Sequence, residues 1–335
     1  VEDIVRLHGF EKLPRTSLPA LASRQVSRLT PLQARARLAR RTLAAQGWQE
    51  AVTWSFAPRS ACALFGGGSD ALVLANPIAA DLDCMRPSAL IHLLAAGQRN
   101  ANRGAGVSRL FEVGPVYLGD GPGDQRLVAA GAARGTERGW QGAVGADLFA
   151  VKADLMALLE TLGVNVAGLM QRNGARGWWH PGRSGTLSLG PKTVVAEFGE
   201  LHPRVLKALD VDGPVVGFEL VLDALPPAKA KATKTKPKLD APDLMPLSRD
   251  FAFLAPDNLA AGDLTKAVAG VDKALIAGVS VFDVYRGTGV PEGHASLALE
   301  VRLQPREKTL TDAEIEAVSA KVVAAAGKLG ATLRG

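Results

Sequence analysis

Apolar residues recur along this chain with two different periods, and the switches between them mark out its elements. Thr30, Pro31 and Gln33 read as N-cap, first helical position and capping-box partner of a helix that runs to Gln46 and closes at Gly47. After Pro87, Leu90, Leu93 and Leu94 recur at helical spacing and predict an amphipathic helix, ended by a basic, glycine-bearing loop from Arg99 to Arg109. Leu110 to Tyr117 follows and reads as a strand interrupted by Gly114 and Pro115. An apolar, alanine-rich segment from Arg126 to Arg138 predicts a strand with a basic turn. Leu155, Leu158, Leu159 and Leu162 then line one face of a helix from Val151 to Leu162.

The pattern lapses from Pro226 to Pro246, where Lys229, Lys231, Lys234, Lys236 and Lys238 alternate with Ala and Thr. No apolar face results, so this reads as an extended, solvated linker, either a plain spacer or an electrostatic lure for RNA. Beyond it the periods give a compact βαββαβ unit. Its strands are Arg249 to Ala255, Leu275 to Tyr285, His294 to Gln304 and a final edge, Ala331 to Arg334; its helices are Ala261 to Val271 and one capped by Thr311 with Glu314. In the third strand Ala295, Leu297, Leu299, Val301 and Leu303 alternate with polar residues, so one face is buried under helices and the other is open.

Composition narrows the class. A chain of 335 residues suggests two or three domains, and 47% hydrophobic against 21% charged residues describes a globular protein. A net charge of +6 permits an RNA partner without demanding one. Cys62 and Cys84 lack CxxC spacing, which argues against a zinc site or disulfide framework and for a reducing compartment. With no long apolar run and no signal peptide, the expected location is cytoplasmic, without a membrane contact. The chain begins Val-Glu-Asp, as a fragment of something longer would.

Phe111-Glu112-Val113-Gly114-Pro115-Val116-Tyr117 resembles the strand leading into motif 2 of class II aminoacyl-tRNA synthetases. Asn76-Pro77, Met85-Arg86-Pro87-Ser88 and Gln98-Arg99-Asn100 are similar to blocks of the bacterial phenylalanyl-tRNA synthetase beta chain. So are His180-Pro181-Gly182-Arg183-Ser184 and Gly199-Glu200-Leu201-His202-Pro203. Gly47 to Trp54 resembles motif 1, a dimerisation helix and strand, with Trp54 where the motif has proline. Ser248-Arg249-Asp250, Phe282 to Tyr285 and Thr309 to Ile315 match the family's ferredoxin-fold anticodon-binding domain. The resemblance covers the whole chain.

It implies an α+β fold: a class II synthetase-like antiparallel sheet with flanking helices, followed by the ferredoxin-like βαββαβ domain. The implied boundaries are 1–20 for the end of a preceding helical domain, 21–226 for a non-catalytic core, 227–241 for the linker and 242–335 for the anticodon-binding domain. Catalytic relatives carry an arginine after the motif 2 aromatic and another in motif 3, and a planar, permanent cation suits the ATP α-phosphate. Leu118 and Ala224 stand at those positions, which implies that no amino acid is activated here. The implied partners are a catalytic alpha subunit, in an alpha2beta2 heterotetramer, and tRNA(Phe); the alpha subunit would use the ATP. Glu2 and Asp3 would belong to an interface Mg2+ site, or be first-turn acids that favour the helix dipole.

An open sheet face bearing an aromatic and cations can stack bases and hold phosphates, so Arg249, Tyr285, Arg302, Lys308 and Arg334 are the candidate tRNA-binding residues. Arg249-Asp250 as an ion pair is the structural alternative. Arg35, Arg37, Arg40 and Arg41 read as the solvated face of an interface helix, since they do not form one stripe. Gly66 to Gly68 lacks the residues of a phosphate loop and reads as a loop tip. His180 and His202 have no ligand partners at metal spacing and read as turn residues that donate to backbone. Two other classes remain: an autonomous catalyst, with Arg109 or Arg134 reaching into the degenerate pocket, and a free-standing RNA-binding protein.

Overall fold

The structure, a computed structural model, describes residues 1–17, 29–140, 142–227, 238–239 and 241–334. The chain divides into two units, Val1–Ala230 and Lys231–Gly335. The first unit runs in order through α1 (Glu2–His8), α2 (Pro31–Ala45), β1 (Gln49–Glu50), β2 (Phe56–Ala57), α3 (Arg59–Leu64), β3 (Cys84–Met85), α4 (Leu90–Asn102), β4 (Ser108–Tyr117) and β5 (Gln125–Arg134). A hairpin of β6 (Thr136–Gly139) and β7 (Gly142–Gly145) follows, then α5 (Leu148–Thr161), β8 (Met170–Asn173), β9 (Trp179–Leu189), β10 (Thr193–Leu201), α6 (Pro203–Ala208) and β11 (Val215–Val221).

Seven strands form one sheet in the order β1-β4-β5-β11-β10-β9-β8, antiparallel except where β1 meets β4. Alternation along each strand supplies two cores. Phe111, Phe198 and Phe218 pack on one face with α2 and α5; Leu110, Ala130 and Trp179 pack on the other with α3, α4 and α6. Gly131 makes room on the first face, where Trp48 and Phe218 meet edge to face at 5.5 Å; a Cβ there would lie 2.4 Å from the Phe218 ring.

The expected interruption of the strand before Tyr117 does not occur: β4 pairs with β5 without a break from Ser108 to Tyr117. Pro115 lacks an N–H only on the edge turned away from β5, so no ladder bond is lost. That edge is sealed by other groups. The Phe111 carbonyl accepts from Ala51 N–H at 2.7 Å, Val113 from Arg40 at 2.7 Å and Pro115 from Arg86 at 3.0 Å.

Helix α2 carries the capping box its sequence announces, with Gln33 N–H donating to Thr30 Oγ1 at 3.2 Å and Thr30 N–H to Gln33 Oε1 at 2.9 Å. Its arginines are not all solvated, however. Arg35 donates to the carbonyls of Leu222, Leu225 and Pro226, and Arg40 bridges Glu50 and the β4 edge, while Arg37 and Arg41 are exposed. Buried carbonyls at strand ends need donors, and a long guanidinium fork supplies several at once. Most of the proposed linker, including Lys229, Lys231, Lys234 and Lys236, lies outside the described residues.

In the second unit β12 (Leu247–Pro256), α7 (Ala261–Ala269), β13 (Ile276–Tyr285), β14 (His294–Leu303), α8 (Asp312–Gly327) and β15 (Thr332–Leu333) give an antiparallel sheet of order β13-β14-β12-β15. Phe253, Leu297, Leu299 and Val301 pack under Leu264, Val268, Val318 and Val322 of the two helices.

Gly131→Ala should force the Trp48–Phe218 pair off its packing and destabilise the first unit by about 1–3 kcal/mol. Urea denaturation followed by tryptophan fluorescence measures the loss, and an unchanged midpoint would show that the rings move aside freely.

Candidate functional site

Register places one row of side chains across six strands of the seven-stranded sheet, on the face under α4. Glu112 lies opposite Ala130, Ala130 opposite Glu219, Glu219 opposite Glu197, Glu197 opposite Thr186 and Thr186 opposite Arg172. The three carboxylates are buried. Burial of charge is costly unless each oxygen is partnered, and like charges opposed across a ladder repel.

Glu112 is met by Arg86, itself fully buried, through two bonds of 2.8 and 3.1 Å. The Thr53 hydroxyl donates to Glu112 at 2.5 Å and accepts from Arg86 at 2.8 Å, which pins the segment after β1 to the floor of the sheet. Gly114 keeps the space open; a Cβ there would lie 2.7 Å from Arg86 Nη2. Glu219 meets the start of α4, accepting from the Ser88 hydroxyl at 2.8 Å and Ala89 N–H at 3.3 Å, where helix N–H groups favour an anion. Glu197 accepts from Trp179 Nε1 at 2.9 Å and Arg176 Nε at 2.7 Å, and Arg176 also lies 3.6 Å from Glu219. Burial raises the Glu219 carboxyl above the usual range, against the pull of Arg176 and Ser88.

This floor is chemically unsuited to a triphosphate. It presents three carboxylates, and the two guanidiniums that reach them, Arg86 and Arg176, are already engaged, while Arg172 stands exposed at the far end of the row on the edge strand β8. Leu118 is exposed in the turn after β4 and Ala224 sits in a short turn after β11, so neither brings a cation to the row. The two arginines suggested as substitutes are occupied elsewhere. Arg109 alternates to the opposite face, where it pairs with Asp154 and stacks on Trp48, and Arg134 donates to Gln98 of α4.

Pinning Thr53 inward turns its neighbours outward. Val52 is 90% exposed and Trp54 57% exposed, with Trp54 stacked on Phe56 at 6.5 Å. These are apolar groups held out on a segment pinned by Ala51 and Thr53.

The open face of the second unit holds Arg302, Tyr285 and, beyond β15, Arg334. The Arg334 N–H donates to Ala252 O at 2.8 Å, and its guanidinium lies 5.5 Å from the Tyr285 ring centroid. The other two candidates lie elsewhere. Arg249 is opposite Val301 on the helix-covered face and meets Glu316 of α8 at 3.8 Å, so it does not pair with Asp250. Lys308 meets Glu314 at 2.8 Å, and that pair, with Thr311, holds the Glu314 carboxyl down at about 2. The face also holds acids that were not singled out: Asp250 directly opposite Glu300, with Asp283 one pair along. Period-two alternation from Arg302 reaches Glu300, whereas Asp250 and Asp283 lie on neighbouring strands and only the register brings them to this face.

Glu2 and Asp3 are exposed in the first turn of α1, with Glu2 3.3 Å from Arg6. Among the described residues no three His, Cys, Asp or Glu side chains group as metal ligands. The histidine turns run opposite to expectation: Nδ1 of His180 accepts from Gly182 N–H at 3.1 Å, and Nδ1 of His202 from Arg204 N–H at 3.0 Å. Proline has no N–H, so the next amide donates back to the ring. Cys62 and Cys84 are buried free thiols, and burial pushes Cys62 up to about 12. No helix among the described residues is long and apolar enough to cross a membrane.

Residues 15–222 match the family profile described as the phenylalanyl tRNA synthetase beta chain CLM domain, and residues 242–334 that of the ferredoxin-fold anticodon binding domain. Among curated proteins, the phenylalanine–tRNA ligase beta subunit of Bradyrhizobium diazoefficiens is 52% identical over all of this chain and 42% of its own length. That of Rhodospirillum rubrum gives the same figures, and that of Mesorhizobium japonicum is 49% identical over all of this chain and 43% of its own. The chain thus spans about two fifths of the length of these relatives.

Glu112→Gln leaves Arg86 buried against a neutral amide and should cost about 3–5 kcal/mol by urea denaturation. Glu219→Gln should behave differently. A carboxyl whose folded pKa is raised contributes stability that is complete below its unfolded pKa of about 4.3 and is lost as pH rises through the folded value. The wild type should therefore lose stability relative to Glu219→Gln as pH rises above about 4.3. A flat or rising difference would contradict the assignment.

Proposed function

The chain belongs to the phenylalanyl-tRNA synthetase beta-chain family, and we propose that it acts there as a non-catalytic subunit. It pairs with a catalytic alpha subunit in an alpha2beta2 assembly and binds the anticodon region of tRNA(Phe). The carboxylate floor carries this reading: a face that repels phosphate does not activate an amino acid with ATP, so that chemistry falls to the partner. Val52 and Trp54 supply the pairing surface, an apolar couple whose exposure a free-standing RNA-binding protein would leave unexplained.

On the second unit, unpaired bases stack on Tyr285 and Arg334, and Arg302 meets phosphate. Asp250 and Glu300 would accept from base amino groups rather than face the backbone. Arg249 and Lys308 would contact RNA only by giving up Glu316 and Glu314. Glu2 and Asp3, as exposed adjacent carboxylates, fit two of six oxygen positions around an interface Mg2+ that neutralises the junction with the alpha subunit.

Val52→Asp with Trp54→Asp should weaken pairing with the alpha subunit by about 30-fold or more in sedimentation equilibrium. Tyr285→Ala with Arg334→Ala should raise KM for tRNA about ten-fold while the complex keeps its ATP–pyrophosphate exchange. Unchanged pairing in the first case, or lost exchange in the second, would overturn the respective assignment.

A further inference from the structure

The two halves of the carboxylate row are closed by arginines of different kinds. Arg86 is wholly buried and bonded on every side. Arg176 arrives from the surface, in a loop between Gly174, at φ +81°, and Gly177, and its side chain is 48% exposed. It is bound by what it covers rather than by the loop that carries it.

The hydrogen bonds on the two acids it covers leave one place for a cation, which Arg176 takes. Glu197 Oε2 is taken by Trp179 Nε1, and Glu219 Oε1 by Ser88 and Ala89. The two remaining oxygens, Glu197 Oε1 and Glu219 Oε2, are the ones Arg176 meets, at 2.7 and 3.6 Å. The Trp178 ring forms a wall 4.2 Å from the guanidinium carbon. Two convergent acceptors and an aromatic face suit a flat, delocalised cation with several donors better than the compact ammonium of lysine.

We propose that Glu197, Glu219 and Trp178 form a receptor for a guanidinium group, which Arg176 fills in cis and which takes a guanidinium from outside when that side chain is withdrawn. The site is independent of the pairing and RNA surfaces proposed above. Its ligand is either a free guanidinium compound or an arginine side chain of another protein, and Arg176 is the residue that keeps it closed.

The test is calorimetric titration of the full-length protein with its partner subunit. Arg176→Ala should bind one methylguanidinium per chain, at least about ten-fold more tightly than wild type at matched ionic strength. Adding Glu197→Gln and Glu219→Gln should abolish the gain. N-acetyl-arginine methylamide as a second titrant separates the sources: binding of both admits a side chain, and binding of methylguanidinium alone restricts the site to a free cation. No gain in an assembled Arg176→Ala protein, equal binding by wild type, or binding that survives loss of both acids would overturn the proposal. Arg176→Ser serves if the alanine variant does not assemble; failure of both would show that the resident cation is structural and not exchangeable.

Discussion

A carboxylate buried in the middle of a sheet must be neutralised where it stands, and this chain does so three times in one row. Two like charges about 5 Å apart repel by about 3 kcal/mol at an effective dielectric of 20. Glu219 and Glu197, directly opposed, therefore oblige Arg176, Ser88 and the first amides of α4 to be where they are. Glu112 likewise fixes Arg86, and through Arg86 the edge of β4 and the segment carrying Thr53. The position of α4 and the outward display of Val52 and Trp54 thus follow from the same electrostatic requirement.

The same row separates scaffold from catalyst. A sheet that activates amino acids would offer free cations to phosphate; here the two arginines that reach the buried acids are spent on them, and Arg172 stands apart on the edge strand. On the role proposed above, what the chain contributes is surface. The first unit presents an apolar couple on a segment pinned by Thr53, and the second an open sheet with one stacking platform and a mixture of acids and arginines.

Much of the fold could be read from the residues because each element carries local signals. The Thr30 capping box, the leucines of α5 and the alternation in β14 each mark an element on their own. Pro115 misled because its effect depends on which edge of the strand faces a neighbour, and that is a matter of topology. The arginines of α2 misled for a similar reason, since the carbonyls that Arg35 reaches are nearly two hundred residues away in sequence. The row itself left a trace: Phe111-Glu112, Glu197-Phe198 and Phe218-Glu219 each set an acid beside a phenylalanine within a largely apolar strand. A lone buried carboxylate calls for a partner, but only the register shows that the three are neighbours.

ATP–pyrophosphate exchange with phenylalanine, measured on the full-length beta chain without an alpha subunit, tests the central claim most directly. With the floor of the sheet occupied by Glu112, Glu197 and Glu219, exchange should not rise above the enzyme-free rate. Exchange by the beta chain alone would mean that phosphate is held on this face despite its carboxylates, and the account of the row as a closed, non-catalytic floor would be wrong.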